Sequence, residues 1–299
     1  MTKNNESSIK VWIRATRPFS LSGSIIPVIL GSALAYKEGP FRINLFFLSV
    51  ITIAAFQIGA NLMNSADDFV NHVDTKESFG SSDVVVNNLL SSKQVNKAGI
   101  GVFVLGVLIG LYLAYVGGLV VLMLGLAGAL GGYFYTKKPF ELKYHGLGVP
   151  LIFLLYGPLP VLGSFFLQAG YFNWKALLLS IPTGLLTTAI LHANDIRDMV
   201  HDSKAGIKTF SIIIGSSKAH KLYDFFLIAA YATSLILTLV HVVPIWSLAI
   251  LITLPLAIGN MKKLHAAGND TSSIKLLDKD TAQLQMIFGV IQVASLFIP

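Results

Sequence analysis

The chain of 299 residues is 54% hydrophobic, only 12% of its residues are charged, and its mean hydropathy is +0.69. Soluble domains carry about 25% charged residues, so a chain this poor in charge cannot cover a globular surface, and a soluble fold is excluded. The absence of cysteine excludes disulfides and thiolate metal sites. We therefore expect an integral membrane protein, in which the placement of the charges matters more than their net value of +7.

Taken in chain order, the apolar segments indicate one all-α domain over residues 1–299 that crosses the membrane repeatedly. A spanning helix needs about 17–25 mostly apolar residues. Gly117 and Gly118 separate the third segment from the fourth, and Pro244 opens the eighth. The nine predicted transmembrane helices cover residues 19–36, 44–66, 98–116, 118–135, 147–168, 174–194, 221–240, 244–260 and 281–298.

The first segment has a competing interpretation as a signal peptide. Basic residues precede an apolar run, and the Ala-Leu-Ala sequence at 33–35 resembles a cleavage site. Pro27 and two glycines interrupt the apolar run, which is unusual for a signal peptide. We expect this helix to stay uncleaved.

The distribution of Lys and Arg predicts the orientation in the membrane. If the N-terminus lies in the cytoplasm, nine helices leave only Lys37, Arg42 and Lys175 on the outer side. Every other Lys and Arg, Lys3 and Lys76 among them, falls on the cytoplasmic side. This agrees with the positive-inside rule and predicts a multi-pass protein of the cytoplasmic membrane.

An unusual acidic stretch ends the second segment, where residues 61–74 read NLMNSADDFVNHVD. Asn64 lies four residues before Asp68, so the two side chains share one face of a helix. Asp74 is out of that register, and we therefore expect the chain to leave the helix near Asn71. Acids this dense at the end of a membrane helix are costly and indicate function.

A second acidic stretch ends the sixth segment, where residues 192–206 read HANDIRDMVHDSKAG. Asn194, Asp198 and Asp202 are spaced four residues apart and form one stripe on a helix. Both helices run toward the cytoplasm in the predicted topology, so both acidic stretches emerge at the same face. The active site is therefore predicted at the cytoplasmic face.

Two carboxylate clusters at one face of a membrane suggest a bound divalent cation. Carboxylates that are packed together repel each other, and a cation removes that cost. Oxygen ligands without Cys or His favour Mg²⁺, which typically takes one or two carboxylates and leaves its other positions to water and phosphate. Basic residues in the loops at that face would balance a polyanion, and a lipid diphosphate fits both its charged head and its apolar tail. These basic residues are Lys137, Lys138, Lys143, Arg197, Lys204 and Lys208.

Other polar residues have simpler interpretations. The His192 side chain is as readily a satisfied hydrogen-bonding group as a partner of the second cluster. Gly128 and Gly132 form a GxxxG pattern that is typical of close helix packing. Isolated acids are expected to cap helices or make surface contacts. They are Asp83, Asp224, Asp270, Asp278 and Asp280.

The paired acidic stretches resemble the UbiA superfamily of intramembrane aromatic prenyltransferases. The first has the form NxxxDxxxxxD and the second contains Asn-x-x-Arg-Asp, and both are similar to the branch that prenylates dihydroxynaphthoate. The resemblance extends over almost the whole chain. Further similar segments are Arg-Pro-Phe-Ser at 17–20, Tyr-Thr at 135–136, Lys-Tyr-His-Gly-Leu-Gly at 143–148 and Tyr-Gly-Pro-Leu-Pro at 156–160.

The resemblance implies nine helices around a central chamber and an Mg²⁺-dependent transfer of a prenyl group from a polyprenyl diphosphate to an aromatic acceptor. The expected partners are these two substrates and membrane lipid, with no nucleic acid. The implied catalytic residues are Asp68, Asp198, Tyr135 and Arg197. The implied diphosphate-binding residues are Asn64, Lys137, Lys143, Asn194, Arg197, Lys204 and Lys208. The implied metal ligands are Asp67, Asp68, Asp74, Asp198 and Asp202.

The acceptor favoured by the motif spacing is 1,4-dihydroxy-2-naphthoate, which would place the enzyme in menaquinone biosynthesis. The sequence departs from that branch at Asp195, which replaces the second Asn of an Asn-Asn pair, and at Val149, where an acid is common. Other acceptors of the superfamily, namely 4-hydroxybenzoate, haem and a glycerol phosphate lipid, remain alternatives.

Two other classes of function compete with an enzyme. An ion-coupled transporter would carry its acids near the bilayer midplane, beside broken helices. A lipid-binding or assembly protein without activity would have no need for both acidic motifs. Soluble prenyl diphosphate synthases also use paired Asp motifs, but the composition excludes them.

Overall fold

The computed structural model describes residues 7–75, 83–268 and 270–298, and the regular elements in these ranges are all helical. The prediction of an all-α fold is confirmed. Lys3 and Lys76, which were predicted on the cytoplasmic side, lie outside the described residues. The α-helices are α1 (Ser8–Ala15), α2 (Leu21–Glu38), α3 (Ile43–Val70), α4 (Asp83–Val86), α5 (Ser92–Tyr133), α6 (Gly148–Tyr156), α7 (Pro158–Ala169), α8 (Trp174–Lys204), α9 (Phe210–Ile214), α10 (Ser216–Leu239), α11 (Leu254–Ala267) and α12 (Leu277–Ser295). Short 3₁₀ helices cover Pro18–Ser20, Leu142–His145, Ile245–Thr253 and Thr271–Ile274.

Seven helical segments in the described ranges have the length and hydropathy to cross a membrane. One of them, Ser92–Tyr133, is interrupted at Gly118, whose backbone is not helical (φ 78°), where the sequence predicted a break between two helices. The helix α12, the predicted ninth span, is not among the seven, and it begins with the charged run Asp278-Lys279-Asp280. A multi-pass membrane protein is confirmed, while the count of nine spans stays a prediction. The seven segments are Ser8–Glu38, Ile43–Val70, Ser92–Tyr133, Gly148–Ala169, Trp174–Lys204, Ser216–Leu239 and Ile245–Ala267.

Two predicted spans are less regular than the sequence suggested. The fifth is two helices, α6 and α7, because Gly157 has a non-helical backbone and Pro158 opens a new helix. The eighth begins as a 3₁₀ helix at Ile245–Thr253 and continues as α11. Apolar composition identifies such a span but does not reveal a break inside it.

The helices that carry the acidic motifs lie in different surroundings. The helix α8 is packed against α2, α6, α7, α10 and α12, and many of its side chains are buried. The helix α3 makes its most extensive contact with α5. Apolar side chains on α5 such as Leu108 and Tyr115 remain 60% and 87% exposed, as expected for a helix that faces lipid.

Close approach of α3 and α5 depends on glycines that the sequence pattern did not single out. A Cβ at Gly59 would lie 2.9 Å from the carbonyl oxygen of Gly99 and 2.8 Å from the Cβ of Phe103. By contrast, a Cβ at Gly128 would meet no atom within 4 Å, and one at Gly132 would come only to 3.7 Å of the Phe103 ring. The prediction that the GxxxG pattern marks close packing is therefore wrong.

Candidate active site

A cavity of about 140 Å³ lies between the ends of α3 and α8 that carry the acidic motifs. Residues of the segment 17–20, of the end of α5 and the segment after it, and of α6 and α12 complete its walls. Carboxylates gather at one end of it, and apolar and uncharged polar side chains line the remainder. The charged side chains on its walls are Arg17, Asp68, Asp74, Lys143, Asp198, Asp202 and Asp278.

The first acidic motif contributes side chains to the cavity both from α3 and from the segment that follows α3. Asn64 and Asp68 lie on one face of α3 and both line the cavity. The helix ends at Val70, and His72 adopts a left-handed backbone (φ 57°). The backbone N–H of Asp74 then donates to the carbonyl of Asp68 (3.0 Å), which brings the Asp74 carboxylate back to the cavity. The expected departure from the helix near Asn71 is confirmed.

The second acidic motif stays helical. Asn194, Asp198 and Asp202 all line the cavity from one face of α8, as their spacing predicted. Asp195 lies on another face, is 3% exposed, and its Oδ1 has no hydrogen-bond partner among the described residues. His192 is fully buried and hydrogen-bonds to the carbonyl of Ala219, so it is a satisfied core residue.

Lys143 and Tyr144 both contact Asp68 from the 3₁₀ helix Leu142–His145. The Lys143 Nζ lies 2.8 Å from Asp68 Oδ2, and the Tyr144 hydroxyl donates to Asp68 Oδ1 (2.7 Å). Burial alone would lower the pKa of Lys143, but the Asp68 carboxylate raises it well above its usual value. Lys143 therefore stays cationic within a buried site.

Arg197 is 1% exposed and lies between two carboxylates. Its guanidinium forms two hydrogen bonds to Asp198 (3.0 and 2.8 Å) and an ion pair with Asp278 of α12 (2.8 Å). It also donates to the Asn194 side chain. Buried charges need such pairing because an isolated one is very costly. Asp278 was predicted to be a helix-end contact, but the structure places it on the cavity wall, and no local sequence signal links it to Arg197.

Arg17 is the second cavity residue that the sequence did not single out for the site. It precedes Pro18, has a left-handed backbone (φ 52°), and its guanidinium donates to Ser65 of α3 (3.2 Å). A left-handed backbone at a residue other than glycine is uncommon. The sequence points to this cation only through the resemblance of its Arg-Pro-Phe-Ser segment to the family.

Five of the predicted site residues are not among those that line the cavity, and one of them is Arg197, which reaches the wall only through its partners Asp198 and Asp278. Asp67 is rotated about 100° from Asp68 around α3, and its carboxylate pairs with Lys137 (2.7 Å) and accepts a hydrogen bond from Thr136 (3.0 Å). Lys204 and Lys208 are exposed and are not among the lining residues. Their roles, together with those of Asp67 and Lys137, stay predictions.

Tyr135 lies on the cavity wall where the sequence placed it. Its side chain is 7% exposed, and its hydroxyl has no hydrogen-bond partner among the described residues. Burial raises the pKa of Tyr135, so the phenol stays neutral. A neutral aromatic ring on this wall can interact with a cation through its π face.

The carboxylate oxygens at the charged end of the cavity are the type of ligand that a hard cation prefers. The carboxylates on the wall outnumber the cations, and Asp74 Oδ2 is buried without a hydrogen-bond partner in the described ranges. Burial and then the Asp68 carboxylate raise the pKa of Asp74 to about 7. In the part of the chain that the structure describes, no three acidic or histidine side chains converge to enclose a metal alone. The arrangement fits Mg²⁺, which uses one or two carboxylates and takes its other ligands from water and phosphate.

Comparison with known proteins identifies the family. The model of the UbiA prenyltransferase family matches residues 24–287. The UbiA prenyltransferase domain-containing protein 1 homolog of Drosophila melanogaster is 33% identical, over 98% of this chain and 81% of that protein. The 1,4-dihydroxy-2-naphthoate octaprenyltransferase of Bacillus subtilis (strain 168) is 29% identical, over 98% of this chain and 94% of that protein.

Solved structures share the fold. A UbiA homolog from Archaeoglobus fulgidus bound to GPP and Mg²⁺ has a TM-score of 0.61 and 14% sequence identity, over 95% of this chain and 99% of that chain. The predicted resemblance is confirmed by the sequence matches, and the fold by this structure. The chain belongs to the UbiA prenyltransferase family and is an enzyme that transfers prenyl groups.

Proposed function

We propose that this protein transfers the prenyl group of a polyprenyl diphosphate to 1,4-dihydroxy-2-naphthoate in an Mg²⁺-dependent reaction. The observation that carries the proposal is that the acidic motifs of α3 and α8 line one cavity, together with two cations. The Archaeoglobus fulgidus homolog, solved with GPP and Mg²⁺, supports the class of donor substrate and the metal.

The residues that would hold Mg²⁺ are Asp68, Asp74, Asp198 and Asp202, whose carboxylates line the charged end of the cavity. When it is bound there, Mg²⁺ supplies positive charge that stabilises the diphosphate as a leaving group. Asp67 belongs to the predicted ligand set, but its pairing with Lys137 favours a supporting role.

The protein's own polar groups would hold the diphosphate. Lys143 and Arg17 lie on the wall beside the carboxylates and place positive charge there. Arg197 is fixed by Asp198 and Asp278, and Asn64 and Asn194 add amide groups from the two motif helices. Preorganised groups of this kind stabilise charge as it develops in the transition state. Lys137, Lys204 and Lys208 lie outside the wall and would act on the diphosphate only at longer range.

The reaction would proceed by ionisation of the allylic C–O bond, with both bonding electrons leaving on the diphosphate. The ring carbon that bears the carboxylate then forms the new C–C bond to the allylic carbon. Loss of CO₂ returns its bonding electrons to the ring and restores aromaticity. Apolar side chains such as Ile152, Leu155 and Leu191 line the cavity and would keep water from the cation, and the Tyr135 ring would stabilise it.

An apolar cavity of about 160 Å³ gives the prenyl tail a place to lie. It is lined by apolar residues of α3, α5 and α7, and Leu155 lines both cavities. A tail that leaves the charged end past Leu155 would enter this space without meeting a charged group on its walls.

The acceptor is supported by the motif spacing and by the Bacillus subtilis relative, which is named a 1,4-dihydroxy-2-naphthoate octaprenyltransferase. The excess of Lys and Arg on one side supports a cytoplasmic membrane location, with the active site toward the cytoplasm.

A direct assay tests the proposal. Purified protein would be incubated with Mg²⁺, prenyl diphosphates of several lengths, and one acceptor at a time, with products read by mass spectrometry. We expect dihydroxynaphthoate to be prenylated with loss of CO₂, faster than 4-hydroxybenzoate, haem or a glycerol phosphate lipid, and EDTA to stop the reaction reversibly. Turnover of only one of those other acceptors would refute the proposed acceptor, and full activity in EDTA would refute the metal dependence.

A further inference from the structure

A second polar layer lies deeper in the same cavity, away from the carboxylates. Ser20, Gln57, Asn61, Tyr156 and Thr187 all line the cavity, and none of these side chains carries a charge at neutral pH. We call these five residues the polar belt. The acidic motifs do not account for it.

The position of the belt follows from helix geometry. Gln57 and Asn61 precede Asp68 by eleven and seven residues on α3, which places them about 16 and 10 Å further along the helix axis. Thr187 precedes Asp198 by eleven residues on α8, so it lies at a depth similar to that of Gln57. The belt therefore borders the part of the cavity beyond the diphosphate end.

The N–H and O–H groups of the belt on the 3₁₀ helix Pro18–Ser20, on α3 and on α6 are used within the protein. The Tyr156 hydroxyl donates to Gln57 Oε1, and the Gln57 amide nitrogen donates to Ser20 Oγ (3.2 Å) and Asn61 Oδ1 (3.4 Å). The Asn61 amide nitrogen donates to Ser20 Oγ (3.0 Å) and to the carbonyl of Thr16 (3.0 Å). The Ser20 hydroxyl in turn donates to the carbonyl of Arg17 (2.9 Å).

The belt donor on the opposite wall is also used within the protein, because the Thr187 hydroxyl donates to the carbonyl of Thr183 (2.9 Å). With its donors occupied, the belt offers a ligand only lone pairs, on the oxygens of Tyr156, Gln57, Asn61 and Thr187. A ligand that binds there must donate hydrogen bonds. A carboxylate only accepts hydrogen bonds and therefore has no partner in the belt. Its possible partners are the cations Arg17 and Lys143, which line the charged end of the cavity.

We propose that the polar belt recognises the hydroxyl groups of a phenolic acceptor, a proposal that rests on the function proposed above. In 1,4-dihydroxy-2-naphthoate the 1-hydroxyl lies beside the carboxylate and can donate to it, whereas the 4-hydroxyl is remote from the carboxylate and can donate to the belt. The apolar side chains of Ile152 and Leu191 offer surface for the faces of the ring. A hydroxyl that donates to a protein oxygen gains electron density, which makes the ring a better nucleophile. The belt thereby selects the acceptor by the hydroxyl that is remote from the carboxylate, while the carboxylate faces the cationic end.

Two conservative variants test the proposal. Tyr156→Phe removes one oxygen of the belt and keeps the ring, and Thr187→Val removes another on the opposite wall with the same shape. The matched control is Tyr231→Phe, because Tyr231 is also buried and hydrogen-bonded, to Thr253 (2.6 Å), but is not among the residues that line the cavity.

The measurement is calorimetric binding of 1,4-dihydroxy-2-naphthoate and of 1-hydroxy-2-naphthoate to protein in lipid nanodiscs, with Mg²⁺ and an unreactive prenyl thiodiphosphate present. We expect wild type to prefer the dihydroxy compound, and each belt variant to weaken its binding by about 3- to 10-fold, as for loss of one hydrogen bond. The affinity for the thiodiphosphate should change less than twofold, and Tyr231→Phe should match wild type.

The outcomes separate the two proposals. Wild-type binding without prenyl transfer would refute the proposed function and leave the belt's role standing. The belt's role is refuted if wild type does not bind the dihydroxy compound, if both belt variants bind it as wild type does, or if they weaken the thiodiphosphate equally. The last result would mean that the belt only ties the 3₁₀ helix Pro18–Ser20, α3 and α6 together.

Discussion

Two adjacent aspartates on α3, Asp67 and Asp68, have different surroundings, although the family resemblance implied the role of metal ligand for both. Asp68 lines the cavity and contacts Lys143, whereas Asp67 pairs with Lys137 on another face. Lys137 also donates to Asn96 of α5 (2.9 Å), so Asp67 ties the segment after α5 to α3. Proximity in sequence therefore does not make the two carboxylates equivalent.

The first prediction contrasts these two residues. Asp68→Asn removes a charge from the charged end of the cavity and should lower kcat/KM by about 100-fold or more. Asp67→Asn should leave the Mg²⁺ concentration for half-maximal activity unchanged, and lower the unfolding temperature instead. Both are measured with Asp270→Asn as a control, since Asp270 caps an exposed 3₁₀ helix. If Asp67→Asn raised the Mg²⁺ concentration for half-maximal activity, Asp67 would belong to the metal site.

A second prediction concerns the ion pair between Arg197 and Asp278. In Asp278→Asn the Arg197 guanidinium keeps Asp198 as its only carboxylate partner among the described residues. Arg197 then competes more strongly with Mg²⁺ for the Asp198 carboxylate. We expect the Mg²⁺ concentration for half-maximal activity to rise by about 3- to 10-fold. The matched control is Asp280→Asn, two residues further along α12, whose carboxylate pairs with Lys263 nearer the surface. An unchanged Mg²⁺ requirement in Asp278→Asn would remove Asp278 from the site.

At the level of single residues, periodicity predicted the parts of the site that lie within one helix. The stripe of Asn194, Asp198 and Asp202 follows directly from the helical repeat. Arg17 and Asp278 were missed because their contacts join helices that are distant in sequence, and nothing in the residues beside them reveals those partners. Such a contact between distant parts of the chain can be identified only in the folded structure.

At the scale of the helices, close packing depends on which glycines face a neighbour. The GxxxG pattern at Gly128 faces open space, whereas Gly59 of α3 contacts the backbone of α5. The sequence predicted most helices from hydropathy, but not the breaks at Gly157 or after Thr253, because the apolar composition continues through both.

The third prediction follows from that contact. Gly59→Ala would place a methyl group 2.9 Å from the carbonyl oxygen of Gly99, so α3 and α5 must separate. We expect a loss of stability of about 1–3 kcal/mol, measured as a lower unfolding temperature in detergent. Gly125→Ala, also in a membrane helix but with no atom within 4 Å of the added Cβ, should be close to neutral. Equal unfolding temperatures for the two variants would contradict the packing described here.

At the scale of the whole molecule, both acidic motifs must face the same compartment. The charge pattern predicts that this compartment is the cytoplasm. Because the chain has no cysteine, single cysteines can be labelled without background.

The fourth prediction concerns the side of the membrane from which single introduced cysteines are labelled. Asn87→Cys and Ser203→Cys, at exposed positions after the two motifs, should react with an impermeant maleimide only from the cytoplasmic side of membrane vesicles. Gly39→Cys, in the exposed turn between α2 and α3, should react only from the opposite side. If Asn87→Cys and Ser203→Cys were labelled from different sides, the two motifs could not share one site.

The central claim is that the carboxylates of α3 and α8 act together on one metal–diphosphate unit. The most direct measurement is a double-mutant cycle of Asp68→Asn and Asp198→Asn, read as the Mg²⁺-dependent affinity for an unreactive prenyl thiodiphosphate. We expect wild type to bind the thiodiphosphate only weakly in EDTA. The double variant should lose little more affinity than either single variant, because each single change already disrupts the same metal–diphosphate unit. Additive losses, or binding that persists fully in EDTA, would contradict the claim.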